Sequence, residues 1–466
     1  MTHGEHFDQH RRYLPLVVIG AGSCGMIAAL AAARRGAPVI LLEKGAKLDS
    51  NTMRSTGLIP AAGTRFQRAA GIIDDTPELM AQDILRKNRG ESDSSLTHLL
   101  CTMAPHVVEW LVDEIGCQLI CHTDFLYPGQ SRLRMHGPAR GYGAELSRQL
   151  ERAVKAERRI ELRMHTPARG LVWDGKRVTG VRTDAGIIDS SAVILALNGF
   201  GANPAMVAQY LGAEAAAALY FGSPNNTGEG IRWAAALGAA LEHMDAYQGH
   251  ASVAAPAGPL VTWGVIVNGA ILVNRAGRRF GCETQGYSEY TREVLAQPGG
   301  EAWEIFDQEV YDASRDTRFQ EVIAAGKVVR GETLHELATS FHLPVHALEE
   351  TIEAVNRAAR GAAVDPYGRE EFLSGPLEPP FYGIHVRGAL FHTQGGLKID
   401  TRARVLREDG TPLPGLYAGG GAAAGVSGRG VQGYSTGNGL LTATVLGKIA
   451  GEAATDELLI GEIGAG

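Results

Sequence analysis

The chain has 466 residues, with 44 Lys and Arg against 51 Asp and Glu and a formal net charge of −7. That length exceeds what one core fills, so two or more domains are expected, and 45% hydrophobic with 20% charged residues excludes a largely disordered chain. No run of Lys or Arg supplies the basic footprint of a nucleic-acid partner, and no stretch reaches the ~18 consecutive apolar residues of a membrane span, so a cytoplasmic location is expected.

The first element is the apolar run Leu16-Val17-Val18-Ile19, which reads as a buried parallel strand. It leads into Gly20-Ala21-Gly22-Ser23-Cys24-Gly25 and then the Ala-rich helix former from Met26 to Ala33. A second apolar run, Pro38 to Leu42, ends in Glu43. This is a GxGxxG turn with a strand before it, a helix after it and an acid about 20 residues on, the pattern of dinucleotide binding. Gly20 permits the tight turn, Gly22 lets a pyrophosphate approach the backbone, and Gly25 lets helix pack on strand. The helix start at Ser23 offers free N–H groups to phosphate, and Glu43 suits ribose hydroxyls.

From Ile160 to Leu197 the chain is strand-rich. It holds a predicted hairpin around Gly170–Gly175 and a buried strand, Ala192 to Leu197, meeting the turn Asn198-Gly199. That strand fits the one that closes a flavin-binding sheet. At the far end, Gly415-Leu416-Tyr417-Ala418 runs into Gly419, Gly420 and Gly421, and Gly437-Asn438-Gly439 opens a helix from Leu440 to Ala450. A glycine turn feeding a helix start can stabilise negative charge on a reduced flavin ring. The cofactor fold is thus built from both ends of the chain, with the middle inserted. Among charges, the pairs Arg11-Arg12, Arg34-Arg35 and Arg278-Arg279 read as solvated faces. The five cysteines, Cys24, Cys101, Cys117, Cys121 and Cys282, include no tight CxxC pair, so neither a disulfide framework nor a metal is expected. Cys117 and Cys121, followed by His122, read as core thiols.

Several of these stretches, taken together, resemble the fumarate reductase/succinate dehydrogenase flavoprotein family. They are Gly20–Gly25 with Glu43-Lys44, Ala270–Arg275 with Gly277-Arg278-Arg279-Phe280, His392-Thr393-Gln394-Gly395-Gly396 and the terminal glycines. The resemblance implies an α/β fold: a Rossmann-like FAD domain formed by 1–250 and 379–466, with an α+β capping domain, 251–378, over the substrate. It also implies FAD contacts from Gly20, Gly22, Ser23, Gly25, Glu43, Lys44, Asn51, Thr52, Ser55, Thr56, Gly57, Ala168, Asn198, Gly199, Gly420, Gly437, Asn438 and Leu440. Membrane-bound members attach FAD through a histidine where this chain has Asn51, so non-covalent FAD is expected. The acid of the family's last motif is Gly421 here, which removes one contact to the ribityl chain.

At the reacting centre the resemblance is selective. Both family histidines persist as His250 and His392, and a carboxylate-holding threonine as Thr262. Both family arginines are replaced, by Tyr287 and Tyr434, and Trp263 and Ile266 stand where the proton relay would be. Tyrosines at these two positions resemble the 3-ketosteroid Δ1-dehydrogenases. That implies desaturation of a ketone, with Tyr287 as base and Tyr434 and the Asn438 N–H holding the oxygen; Tyr127 is the candidate to support the base. Retained His250, Thr262 and His392 suggest a remote carboxylate, hence a keto acid of the 4-oxocyclohexanecarboxylate kind, while a simple cyclic ketone fits as well. The alternatives are an ene-reductase of an unsaturated carboxylate with Tyr287 as proton donor, a non-catalytic flavin module, and a nicotinamide-only dehydrogenase. Arg279 reads as a structural ion pair, Arg429 as a possible carboxylate ligand, and Arg132, Arg134 and His136 as surface residues. A small-molecule substrate is expected, with oxygen, a quinone or a carrier protein as electron acceptor.

Overall fold

The computed structural model describes residues 14–315 and 317–463; the Arg11-Arg12 pair lies outside them. A six-stranded sheet forms from segments far apart in sequence, in the order Arg404–Leu406, Pro412–Ala418, Ala192–Leu195, Leu16–Ile19, Val39–Leu42, Ile160–Arg163. All neighbours are parallel except the edge strand Arg404–Leu406. Leu16–Ile19 and Val39–Leu42 are buried along their whole length, which explains unbroken apolar runs rather than alternation. The hairpin expected near Gly170–Gly175 is present as Ala168–Trp173 against Val178–Thr183, with a third strand at Gly186–Asp189.

Two helices fix the cofactor end. The helix Ser23–Arg34 follows the glycine turn, and the terminal helix Asn438–Ile463 crosses it closely. A Cβ at Gly447 would stand 2.6 Å from the Cys24 carbonyl oxygen, and one at Gly451 would stand 2.2 Å from that of Ala28. The alanines and glycines of both helices therefore let their backbones touch, and the start of each helix is held over the C-terminal edge of the sheet.

A second sheet is organised around the long strand Phe381–Thr393, which pairs with Tyr247–Ala254, Glu301–Asp307 and Val329–Gly331. Its apolar core runs through Ile271, Ile305, Phe306, Phe319, Ile352, Ile384 and Val386. It is separate from the core around Val17, Ile27, Ile194 and Leu446. Phe381–Thr393 joins the two, since Ile384 and Val386 lie in the second core and Leu390 in the first. The expected boundary at 250/251 falls inside Tyr247–Ala254, and the one at 378/379 just ahead of Phe381.

Two charged clusters correct expectations about the surface. Arg279 is buried, bonded bidentately to Glu283 at 2.8 and 2.7 Å and paired with Asp365. It is the structural ion pair expected, but not part of a solvated face as Arg278 is. Arg134 and His136 are also fully buried rather than exposed. Arg134 pairs with Asp75 at 2.9 Å and Asp83 at 2.8 Å, and His136 shares a 2.8 Å hydrogen bond with Thr64. A buried charge needs such partners, and those of Arg134 and His136 lie 51 to 72 residues away in the chain. Glu304 is different: it is fully buried on Glu301–Asp307, and neither carboxyl oxygen has a hydrogen-bond partner. Burial pushes its carboxyl up to about 8.

Candidate active site

The glycine turn, the start of the terminal helix and the second sheet enclose one elongated cavity of about 570 Å³. Its cofactor end is shaped by local chemistry. Gly20 has φ +102°, and a Cβ there would stand 2.5 Å from the Ala196 carbonyl oxygen, so only glycine fits. Gly22 faces more open space, where a Cβ would meet nothing nearer than Ser50 at 3.6 Å. That clearance beside the helix start at Ser23 is the room a phosphate needs. Glu43 closes the far side. Its carboxylate accepts from Ala21 N–H at 3.1 Å and Gly45 N–H at 2.8 Å, which fixes it at the cavity wall.

Gly20, Gly22, Ser23, Glu43, Lys44, Asn51, Thr52, Ser55, Thr56, Ala168, Asn198, Gly420, Gly437 and Leu440 all line the cavity. These donors and clearances fit a dinucleotide. Gly25, Gly57 and Gly199 do not line it; they are packing glycines. An added Cβ would stand 1.8 Å from the Gly20 carbonyl oxygen, 2.9 Å from Gly143 and 1.9 Å from the Thr393 hydroxyl, respectively. Asn51 accepts from Ser223 N–H and the Asn226 amide, each at 2.8 Å. The glycine at 421 has a structural reason: a Cβ there would lie 2.1 Å from Asn198 Oδ1, so the Asn198 carboxamide occupies the place of a longer side chain.

The substrate end is aromatic. His250 stacks between Tyr287, centroids 4.9 Å apart, and Phe391 at 5.3 Å. Tyr434 stands edge-on to Tyr287 at 6.3 Å and to His392 at 5.8 Å. The pairing of Tyr247–Ala254 with Phe381–Thr393 sets Gln248 opposite His392. Register shifts on either side of His250 locally twist the strand, the common way a sheet re-aims side chains near a site. Trp263 meets His250 edge-on at 6.0 Å, and Thr262 lies beside it on the wall.

Both histidines are neutral donors. Burial lowers His250 to about 3 and His392 to about 4. His250 Nδ1 accepts from Ser252 N–H at 3.1 Å, which leaves its proton on Nε2. A longer chain orients His392. The Asn438 amide donates to Ser427 Oγ at 3.1 Å, Ser427 donates to Gln394 Oε1 at 2.8 Å, and the Gln394 amide faces His392 Nδ1 at 2.7 Å. Gln394 and Ser427 were not singled out by sequence.

Tyr287 shares a 2.9 Å hydrogen bond with Thr436 Oγ1. Burial is the main cause that raises both Tyr287 and Tyr434 above the ordinary phenol value, while the Gly437 N–H lowers Tyr434 in part. Thr436, two residues past Tyr434, was missed. The Asn438 N–H expected at the ketone is instead bonded to the Ser435 carbonyl oxygen at 3.0 Å, closing the turn, and Asn438 does not line the cavity. Tyr127 lines the cavity with Phe125 against it at 4.8 Å. Arg429 is exposed and away from the cavity, and Arg132 pairs with Asp74. Arg318 reaches the wall with no sequence signal to announce it.

Comparison with known proteins shows the family and the fold. The model of the FAD binding domain family matches residues 16–440. A probable fumarate reductase of Shewanella frigidimarina is 32% identical over 95% of this chain and 75% of its own length. The 4-oxocyclohexanecarboxylate 2-dehydrogenase of Sinomonas cyclohexanicum is 28% identical over 94% of this chain and 93% of its own. The open conformation of a flavocytochrome c3 fumarate reductase superposes with a TM-score of 0.82 at 29% identity, over 96% of this chain and 79% of that one.

Proposed function

The chain belongs to the FAD-binding flavoprotein family that includes the fumarate reductases, and from that premise we propose that it desaturates a small cyclic ketone or keto acid between its α and β carbons. It is an FAD-dependent oxidoreductase acting on CH–CH bonds. In this reading, residues 251–378 cap the substrate and FAD is held without a covalent link.

The observation that carries the proposal is the tyrosine pair. Tyr287 and Tyr434 share the aromatic wall, with the Thr436 hydroxyl and the Gly437 N–H as their polar neighbours. A carboxylate substrate at that wall would call for a cation. A ketone calls for a neutral donor at its oxygen and an acceptor for the α proton. The Gly437 N–H and the Tyr287 hydroxyl each lower Tyr434 in part against its burial, which favours Tyr434 as the donor to the carbonyl oxygen that acidifies the α C–H. Tyr287, beside it, takes the α proton when it is in its phenolate form, which the Thr436 hydroxyl helps to stabilise before the transfer. Bound FAD supplies the acceptor for the hydride that leaves the β carbon. His250, as a neutral Nε2–H donor, and the neutral imidazole of His392 orient the rest of the substrate. The relative that acts on 4-oxocyclohexanecarboxylate supports the ketone class.

A second reading has an observation of its own. Because burial keeps the Tyr287 phenol protonated, the same residue is a ready proton donor for reduction of an unsaturated carboxylate. Product analysis separates the two. Incubation with saturated cyclic ketones and an artificial electron acceptor should yield the α,β-enone, with a loss of 100-fold or more in Tyr434→Phe, as for removal of an oxyanion donor. Saturation of enoates by the reduced enzyme, without any enone from ketones, would favour the reductase.

A further inference from the structure

We propose that Arg318 is the carboxylate anchor of the substrate pocket and makes the enzyme selective for keto acids over neutral ketones; this rests on the ketone reading above. Arg318 sits on the helix Thr317–Ala324, and its side chain, 20% exposed, lines the cavity together with Ala313 and Ser314 at the end of the preceding helix, Gln308–Ala313. Its guanidinium is held in place. It lies over the Tyr142 ring at 5.1 Å, Nη2 donates to the Ser55 carbonyl oxygen at 3.1 Å, and Nη1 reaches Glu321 at 3.3 Å. Glu321 is shared, because it also accepts from the Tyr142 hydroxyl at 2.9 Å. Arg318 Nε is buried and has no hydrogen-bond partner.

Each cation lining the cavity has a protein carboxylate beside it, but the pair of Arg318 with Glu321 is the longest, at 3.3 Å through one nitrogen. Arg54 is bidentate on Asp49 at 2.7 and 2.8 Å, and Lys44 pairs with Glu229 at 3.0 Å. Arg318 thus has the loosest tie to a protein carboxylate of the lining cations among the described residues, and a planar guanidinium is suited to a substrate carboxylate. The lining also includes Trp263 and Leu260, apolar surfaces that suit a saturated ring, and the Asn268 amide is bonded to the Ser314 hydroxyl at 3.1 Å. In this proposal the ketone lies at Tyr434 and the carboxylate, on the opposite carbon of the ring, at Arg318. The neutral imidazoles of His250 and His392 add hydrogen bonds but no charge.

The test is an anaerobic titration of FAD-loaded enzyme with 4-oxocyclohexanecarboxylate and with its methyl ester, read as loss of the flavin band. For wild type, the acid should half-saturate at a concentration roughly 10- to 100-fold below that of the ester, the range expected for a charged hydrogen bond. Arg318→Met should bring the acid to the ester's value and leave the ester unchanged, and Arg318→Lys should restore part of the difference. Equal weakening of both substrates in Arg318→Met, or no preference in wild type, would overturn the anchor while leaving ketone desaturation intact. If neither compound bleaches the flavin, desaturation fails, and the anchor is read from binding alone. Perturbation of the oxidised flavin spectrum by the acid in wild type, lost in Arg318→Met, would support it; identical spectra would overturn it.

Discussion

Glu304→Gln offers a perturbation whose size follows from burial, which outweighs the opposing effect of the Ser252 hydroxyl. The Glu304 carboxyl has no hydrogen-bond partner and is raised from an ordinary 4.5 to about 8 in the folded protein. Between those values the unfolded chain releases a proton that the folded chain keeps, so stability falls as pH rises from about 4.5 to about 8. The linkage gives a cost of about 3 kcal/mol at pH 7 and about 1 kcal/mol at pH 5. Glutamine cannot titrate, so its stability relative to wild type should improve by about 2 kcal/mol between pH 5 and pH 7, whatever constant penalty the amide carries. Urea unfolding of FAD-loaded wild type and variant at both pH values, followed by far-UV circular dichroism, gives this difference, and the other titrating groups cancel in it. If the gap between variant and wild type is the same at both pH values, Glu304 is ionised in the folded protein, and reading it as a buried neutral acid is wrong.

Three further outcomes are expected. The rate of flavin reduction by a ketone should rise about tenfold per pH unit from pH 7 to 9, because burial keeps the Tyr287 phenol protonated and only its scarce anion accepts the α proton; a flat profile in stopped flow would assign the proton to another group. Gly421→Ala should displace the Asn198 carboxamide, 2.1 Å from the new Cβ, and lower the FAD content of purified protein. Occupancy should recover when Asn198→Ala is added, and a single variant with full FAD content would contradict the packing argument. Arg134→Met should cost about 3–5 kcal/mol in urea unfolding, since it strands Asp75 and Asp83 without their buried partner; a loss below about 1 kcal/mol would mean that the pairs behave as exposed ones.

What could be read from the sequence was what is local or carried by motif spacing. The Gly20–Gly25 turn announces itself because strand, glycines, helix and acid all lie within one short segment, and the backbone strain at Gly20 is met there. Tyr287 and Tyr434 were found because each sits at a fixed offset from a motif, and the fold does bring them to one wall. Arg134 and His136 were misread as surface residues because charged side chains are seldom buried; their partners Asp75, Asp83 and Thr64 are adjacent only in three dimensions. Asn438 was misassigned for a local reason: the turn before the terminal helix uses its N–H to close on Ser435. Arg318 had no sequence signal at all, since its place on the cavity wall depends on how the second core packs against Ser55 and Tyr142.

Whether Tyr287 takes a proton as a ketone loses hydride is decided by one stopped-flow experiment. Oxidised, FAD-loaded enzyme is mixed anaerobically with 4-oxocyclohexanecarboxylate, and absorbance is followed at the flavin band near ~450 nm, its usual position. Rapid bleaching by wild type, slowed 100-fold or more in Tyr287→Phe with the amplitude of ligand binding preserved, is the predicted result. Bleaching at the same rate in both proteins, or none in wild type while enoates reoxidise the reduced flavin, would contradict it.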